Sequence, residues 1–228
     1  MPLLRRKSGQ FTVQVQDIVL RVTAPLDYYE ESRAAALSLW EQVSSYSIRN
    51  PAFRTSKRPV IVQDDAPAVI REMAEAAGSA GVGPVFTLPG ALADHVGRYL
   101  ARSLPEVLVS SGGDHHIRSR KRMKLLVHRS VDGSQGLSVI VDPARGTHGV
   151  ATTLGRREPP GRGIDGLAVL ATSCAMADAA AAAATAILSR PDSFRKALDY
   201  LRAVQGVHGA VVVVGKQIGV AGGVEVAP

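Results

Sequence analysis

The chain has 228 residues, of which 46% are hydrophobic and 21% charged, enough apolar material for one large core or two small ones, so disorder of the whole chain is excluded. Cys174 is the only cysteine, which rules out an internal disulfide and a cysteine-based zinc site. A formal charge of +7 attracts anions, whereas an aromatic content of 4% leaves few platforms for stacking bases, which makes nucleic acid the weaker reading.

No apolar run has the length and bulk of a membrane span, and Arg5, Arg6 and Lys7 lead into Gln- and Asp-containing sequence rather than a signal segment. The expectation is a cytoplasmic protein with a basic tail over residues 1–10 and one domain from 11 to 228. Phe11 to Val22 alternates apolar and polar residues, the period of a half-buried hairpin or edge strand. Tyr28 to Tyr46 turns helical, with Glu30 and Glu31 in its first turn. The Pro-bounded RNPAFRTSKRP is expected to be irregular, Val60 to Gln63 a short strand at most, and Pro67 the start of a helix over Ala68 to Ala77.

Gly78 to Leu100 places a glycine-rich turn before another apolar helix. Backbone N–H groups at Gly81 and Gly83 could approach an anion there, although a tight turn between packed helices explains the glycines equally well. Asp94 and His95 fall on that helix, and His95 reads as structural. Glu106 to Ser110 is a buried strand that runs into Ser111, Gly112, Gly113, Asp114, His115 and His116. Paired glycines re-aim a chain, while Asp and His offer a ligand or a base. Adjacent His115 and His116 point to opposite faces if the strand continues, so they cannot share one metal ion.

The basic run Arg118, Arg120, Lys121, Arg122 and Lys124 reads as a solvated edge. Lys124 to His128 and Leu137 to Val141 are strands joined by the turn Asp132-Gly133-Ser134. Thr152 to Arg162, rich in Gly, Pro and Arg, reads as a functional loop in which Arg156 and Arg157 offer fork-shaped donors to an anion, or else as a plain basic loop. Leu167 to Ala171 is a strand leading into TSCAMADAAAAAATAILSRP, from Thr172 to Pro191. Its hydroxyls can cap a helix, its proline stops one, and its alanines leave a thin surface bearing one carboxylate, Asp178. Either this is a core helix with an acid near its positive end, or it is the wall of a ligand cleft. Ser193 to Val204 is then helical, and His208 to Val214 and Gln217 to Val226 are strands.

Four stretches in order, GVGPVFTLPGALADHVG, VLVSSGGDHHI, GVATTLG and LAVLATSCAMADAAAAAATAI, together with RNPAFRTSKRP, resemble a bacterial and archaeal family related to the ApbE flavin transferases. The resemblance covers Phe11 to the C-terminus and implies an α/β (α+β) fold, a single domain with a mixed β-sheet flanked by helices. It implies a pocket for FAD or FMN and Mg2+, with FMN passed to a hydroxyl of an acceptor protein. The resemblance places the metal-binding acid on Asp178 and a GGD turn on Gly112, Gly113 and Asp114. With the reading of the residues themselves, Asp178, Asp114 and His115 are catalytic candidates, Gly81, Gly83, Gly112, Gly113, Thr152, Thr153, Arg156 and Arg157 are cofactor-binding candidates, and Asp178 with Thr185 is the metal pair.

Two departures stand out. Relatives carry a threonine one helical turn after the acid, where this chain has Ala182 and its nearest threonine is Thr185, roughly 10 Å along a regular helix. A Gly-His-Ser segment of relatives is replaced by Arg156 to Arg162, so the obvious histidine base is missing. The alternatives are an enzyme of this fold acting on another small molecule without flavin transfer, or a non-catalytic or nucleic-acid-binding basic protein. A homo-oligomer is compatible with all three.

Overall fold

A computed structural model describes residues 9–129, 136–145, 148–154 and 164–228. The N-terminal alternation folds as a hairpin, β1 (Gln10–Val15) and β2 (Ile18–Thr23), in full antiparallel register from Gln10 opposite Thr23 to Val15 opposite Ile18. Val13, Val15, Leu20 and Val22 are buried, so one face of the hairpin belongs to the core. Gln10 opens β1.

Next come α1 (Tyr29–Arg49), the one-turn α2 (Ala52–Thr55), α3 (Ala68–Ala80) and α4 (Leu88–Leu100), the last entered through a 3₁₀ turn at Pro84–Thr87. Strands β3 (Val107–Ser111), β4 (Asp114–Arg118), β5 (Met123–His128), β6 (Leu137–Val141), β7 (Gly149–Leu154) and β8 (Gly166–Ala171) follow. Helices α5 (Cys174–Leu188) and α6 (Phe194–Ala203) and strands β9 (Val207–Val214), β10 (Gln217–Gly222) and β11 (Glu225–Ala227) complete the chain.

Eight strands form one sheet in the order β1-β2-β3-β4-β7-β8-β9-β10, and β11-β6-β5 form a smaller one. The α/β class stands, but every pairing among the described residues is antiparallel, which corrects the expected mixed ladder. The connections between neighbouring strands in the large sheet are hairpins or excursions that return antiparallel. Helices cover one face and the small sheet covers part of the other. Accordingly the central strands β8 and β9 are apolar on both sides: Leu167, Val169, Ala210 and Val212 join the helical core, and Ala168, Leu170, Val211 and Val213 pack towards the small sheet.

The Ala-rich helix α5 lies at the centre of the helical layer, in contact with α3, α4, α6, β7 and β8. Its small side chains permit that crowding. One further expectation is corrected: RNPAFRTSKRP, expected to be irregular, holds a helical turn that buries Phe53. Val60 to Gln63 forms no strand, within the bound of a short strand at most. The Asp132-Gly133-Ser134 turn lies outside the described residues.

Candidate functional site

The site is built where the first turns of α4 and α5 meet the β3–β4 turn. Helices α4 and α5 start against each other, so closely that a Cβ on Gly90 would stand 2.5 Å from the Cys174 carbonyl oxygen. The Gly90 N–H is one of those a helix leaves without an internal partner, and Pro89 before it has none to give. It donates to Asp178 Oδ2 at 3.2 Å. In return, the Ala175 N–H in the first turn of α5 donates to Asp94 Oδ2 at 3.0 Å. Each helix thus supplies the acid that caps its neighbour, and Ser173 completes the α5 cap by accepting the Met176 N–H at 3.1 Å.

The β3–β4 connection is the two-residue turn Gly112-Gly113. Gly112 has φ +60°, in the left-handed region glycine favours, and a Cβ on Gly113 would lie 1.9 Å from the Thr152 carbonyl oxygen. The Thr152 N–H and hydroxyl both donate to the Gly113 carbonyl, at 2.7 and 3.0 Å. Asp114 therefore begins β4 from a pinned corner, opposite Ser111 and Ala151. Ala151 belongs to the helical core, so the pleat turns Asp114 towards α4 and α5.

Two carboxylates consequently share one low-dielectric locus. Burial pushes Asp114 up to about 7. Burial, then the charge of Asp114, drives Asp178 well above the carboxylate range, opposed only by the Gly90 hydrogen bond. Burial also raises the Cys174 thiol, followed by the charges of Asp94, Asp114 and Asp178, so all three acids surround the first residue of α5. Cys174 is buried and protonated, hence an inert thiol. Among the described residues no lysine or arginine pairs with Asp114 or Asp178, and no cluster of three His, Cys, Asp or Glu side chains could by itself hold a metal ion. Two acids facing each other without a basic partner suit a cation that brings its own further ligands.

Other candidates are distributed differently. His115 and His116 do point to opposite faces: His116 is buried on the helical side with Nδ1 at 2.7 Å from Asp94 Oδ1, whereas His115 lies across the sheet from Asp114. There Nδ1 of His115 is 2.8 Å from the Ser110 hydroxyl and Nε2 is 3.3 Å from that of Thr152. Since Thr152 donates to Gly113, it accepts from Nε2–H, and Nδ1 accepts from Ser110. Burial lowers the His115 pKa, keeping the ring neutral. Thr152 and Thr153 lie in β7 rather than in a loop, Thr152 with His115 and exposed Thr153 on the Asp114 face.

Gly81 takes φ +73° at the C-cap of α3 and donates its N–H to Gly78, and a Cβ on Gly83 would meet the Ser56 carbonyl oxygen at 1.8 Å. Gly81 thus has a conformational reason for its identity and Gly83 a packing reason. Thr185 is exposed two turns along the regular helix α5 from Asp178, roughly 10 Å on, so one ion cannot bridge the expected metal pair. Arg156 and Arg157 lie outside the described residues.

Sequence reasoning passed over Gly90, Gly97 and His116 as parts of this site. The available signal was the seven-residue spacing of Gly90 and Gly97 around Asp94, which puts a thin stripe and an acid on one helix face.

The family described as "AbpE bacteria" matches residues 2–220. The UPF0280 protein of Methanocaldococcus jannaschii is 29% identical over 204 residues, spanning 86% of this chain and 82% of the relative. That of Methanopyrus kandleri is 29% identical over 226 residues, spanning 94% and 90%. Among solved structures, the flavin transferase ApbE from Vibrio cholerae superposes with a TM-score of 0.61 at 13% identity, covering 93% of this chain and 96% of that one. The apo flavinyl transferase ApbE of Pseudomonas stutzeri superposes with a TM-score of 0.60 at 15% identity, covering 99% and 96%. At these identities the two superpositions establish a common fold.

Proposed function

Because this chain belongs to the AbpE bacteria family, we propose that its Asp114–Asp178 site binds a flavin nucleotide of the FAD class together with Mg2+, and that it passes an FMN group to a hydroxyl of an acceptor protein. The observation that carries the reading is the Asp114–Asp178 pair, gathered by two helix N-termini and a two-glycine turn. Mg2+ is commonly held by one or two carboxylates plus substrate phosphate oxygens, so this donor set fits a metal–nucleotide complex better than a free-standing metal centre. When bound, the ion would neutralise pyrophosphate charge.

The residues of the chain then have distinct tasks. Asp114 and Asp178 hold the cation, Gly90 orients Asp178, and the Thr152–Gly113 hydrogen bonds keep Asp114 in place. In the transfer, the phosphoanhydride bond between the FMN and AMP halves breaks and a phosphorus–oxygen bond to the acceptor forms. AMP leaves with the electron pair, and the proton of the acceptor hydroxyl passes to solvent water. His115 lies on the opposite sheet face and is not the base for that proton in this reading.

A second reading, flavin binding without transfer, draws on Ala182, which leaves no hydroxyl one turn beyond Asp178, and on the commitment of His116 to Asp94. Incubating the protein with FAD, Mg2+ and a hydroxyl-bearing acceptor separates the two. FMN-modified acceptor with stoichiometric AMP supports transfer. A Mg2+-dependent thermal shift with FAD but no AMP supports binding alone, and no response to FAD with or without Mg2+ overturns both.

A further inference from the structure

Behind the carboxylate pair lies a second acid with a different kind of environment. Asp94 is only 4% exposed and His116 only 5%, and their side chains are 2.7 Å apart. One carboxylate oxygen of Asp94 takes the His116 imidazole from β4, and the other takes the Ala175 N–H of α5. Asp94 itself belongs to α4. This single carboxylate therefore ties together the three elements that carry the site: α4 with Gly90 one turn earlier, β4 with Asp114 two residues before His116, and α5 with Asp178 three residues beyond Ala175. The packing leaves no slack. A Cβ on Gly97, one turn after Asp94, would lie 2.0 Å from His116 Cδ2, and one on Gly149 would lie 2.0 Å from the Ser173 carbonyl carbon.

From this geometry we infer that Asp94 and His116 are positioning residues that set the separation of Asp114 and Asp178, and through it the affinity of the site for a divalent cation. The inference rests on the cation-binding reading above. Neither residue needs to touch the ion. A carboxylate with both oxygens engaged on neighbouring elements is a rigid strut, and a donor removed from a buried carboxylate leaves a charge that repacks its surroundings. His116 provides that donor, and among the described residues no other side chain hydrogen-bonds to Asp94.

Mn2+ serves as the probe, its binding followed by the loss of the free-ion paramagnetic resonance signal at a temperature where each variant is folded. His116→Leu removes the donor, and His116→Asn replaces it with an amide N–H at a comparable position. His116→Leu is expected to weaken Mn2+ binding about tenfold or more, with His116→Asn recovering most of the loss. Leu201→Ala, a core truncation in α6, controls for lost stability alone and should leave affinity unchanged. The Gly90 amide resonance, which reports the bond to Asp178, should move in His116→Leu and return in His116→Asn. Should His116→Leu not fold, Asp94→Asn, whose one oxygen can serve only one of the two donors, is expected to show the same two losses.

Wild-type Mn2+ affinity in a folded His116→Leu or Asp94→Asn protein would overturn the inference. A wild type that takes no Mn2+, either alone or in a second titration with FAD present, would instead overturn the cation reading. In that case the Gly90 resonance still decides whether the strut exists, and an unmoved resonance removes it as well.

Discussion

Asp178 carries the most concentrated conflict in the molecule. Buried beside Asp114 and supported by only one backbone N–H, it is strained by charge rather than by shape. Asp178→Asn keeps an acceptor for Gly90 and removes the repulsion, so the ligand-free variant should melt higher than the wild type at pH 8. The same change should abolish any Mg2+-induced rise in melting temperature, and the two measurements together separate a functional acid from a structural one. Gly97 is the opposite case, a residue whose importance is wholly steric. With the His116 ring 2.0 Å from the place of its Cβ, Gly97→Ala should cost on the order of 1–3 kcal/mol or more in urea unfolding, since the ring is backed by buried groups. An unchanged midpoint would mean that the His116 ring has room to move.

At the level of elements, α5 shows how a sequence can announce a helix and conceal its use. The cap came from local chemistry: Ser173 accepts the Met176 N–H, and Ser173→Ala should cost about 1 kcal/mol of stability by thermal or denaturant unfolding. The alanines identify a helix on which other backbones can lie close, and among the described residues it is touched by α3, α4 and α6 and by strands β4, β7, β8 and β9. Their sequence does not say which neighbour approaches which side. Position 182 lies one turn after Asp178 and is half-buried on the same face. Ala182→Thr places a hydroxyl there at a helix-propensity cost of roughly 0.5 kcal/mol, and is expected to tighten Mn2+ binding relative to wild type. An affinity that stays the same or falls would show that this face of α5 does not meet the ion.

Across the whole molecule, the acid pair couples folding to pH. Asp114 is raised from the ordinary carboxylate range to about 7, and Asp178 is raised with it. For groups raised in the folded state, the folded protein holds protons that the unfolded chain releases. For Asp114 the contributed stability is complete below the unfolded carboxylate pKa and is lost as pH rises through about 7, and the Asp178 contribution is lost in the same direction. The ligand-free protein should therefore lose stability from this pair between roughly pH 4 and 7. In Asp178→Asn that loss should shrink, and comparing the two melting curves across this window isolates the pair from other titrating groups. Equal slopes in wild type and variant would show that the acids do not interact.

What the sequence determined by itself was the set of local decisions. Alternation identified the hairpin at Phe11 to Val22, glycine and proline marked the breaks, and the run of alanines located α5, because each of these preferences acts within a few residues of chain. Motif order was enough to indicate the fold and to single out Gly112, Gly113, Asp114 and Asp178 as candidates. Tertiary structure alone decided which side chains meet. The pleat of β4 sent His115 and His116 to opposite faces, β7 divided Thr152 from Thr153, and a regular α5 carried Thr185 out of reach of Asp178. It also drew Asp94 and His116 together across 22 positions of chain, a contact fixed by the absence of side chains at Gly90, Gly97 and Gly149. Such meetings depend on the excluded volume of distant backbones, which no local pattern of residues encodes.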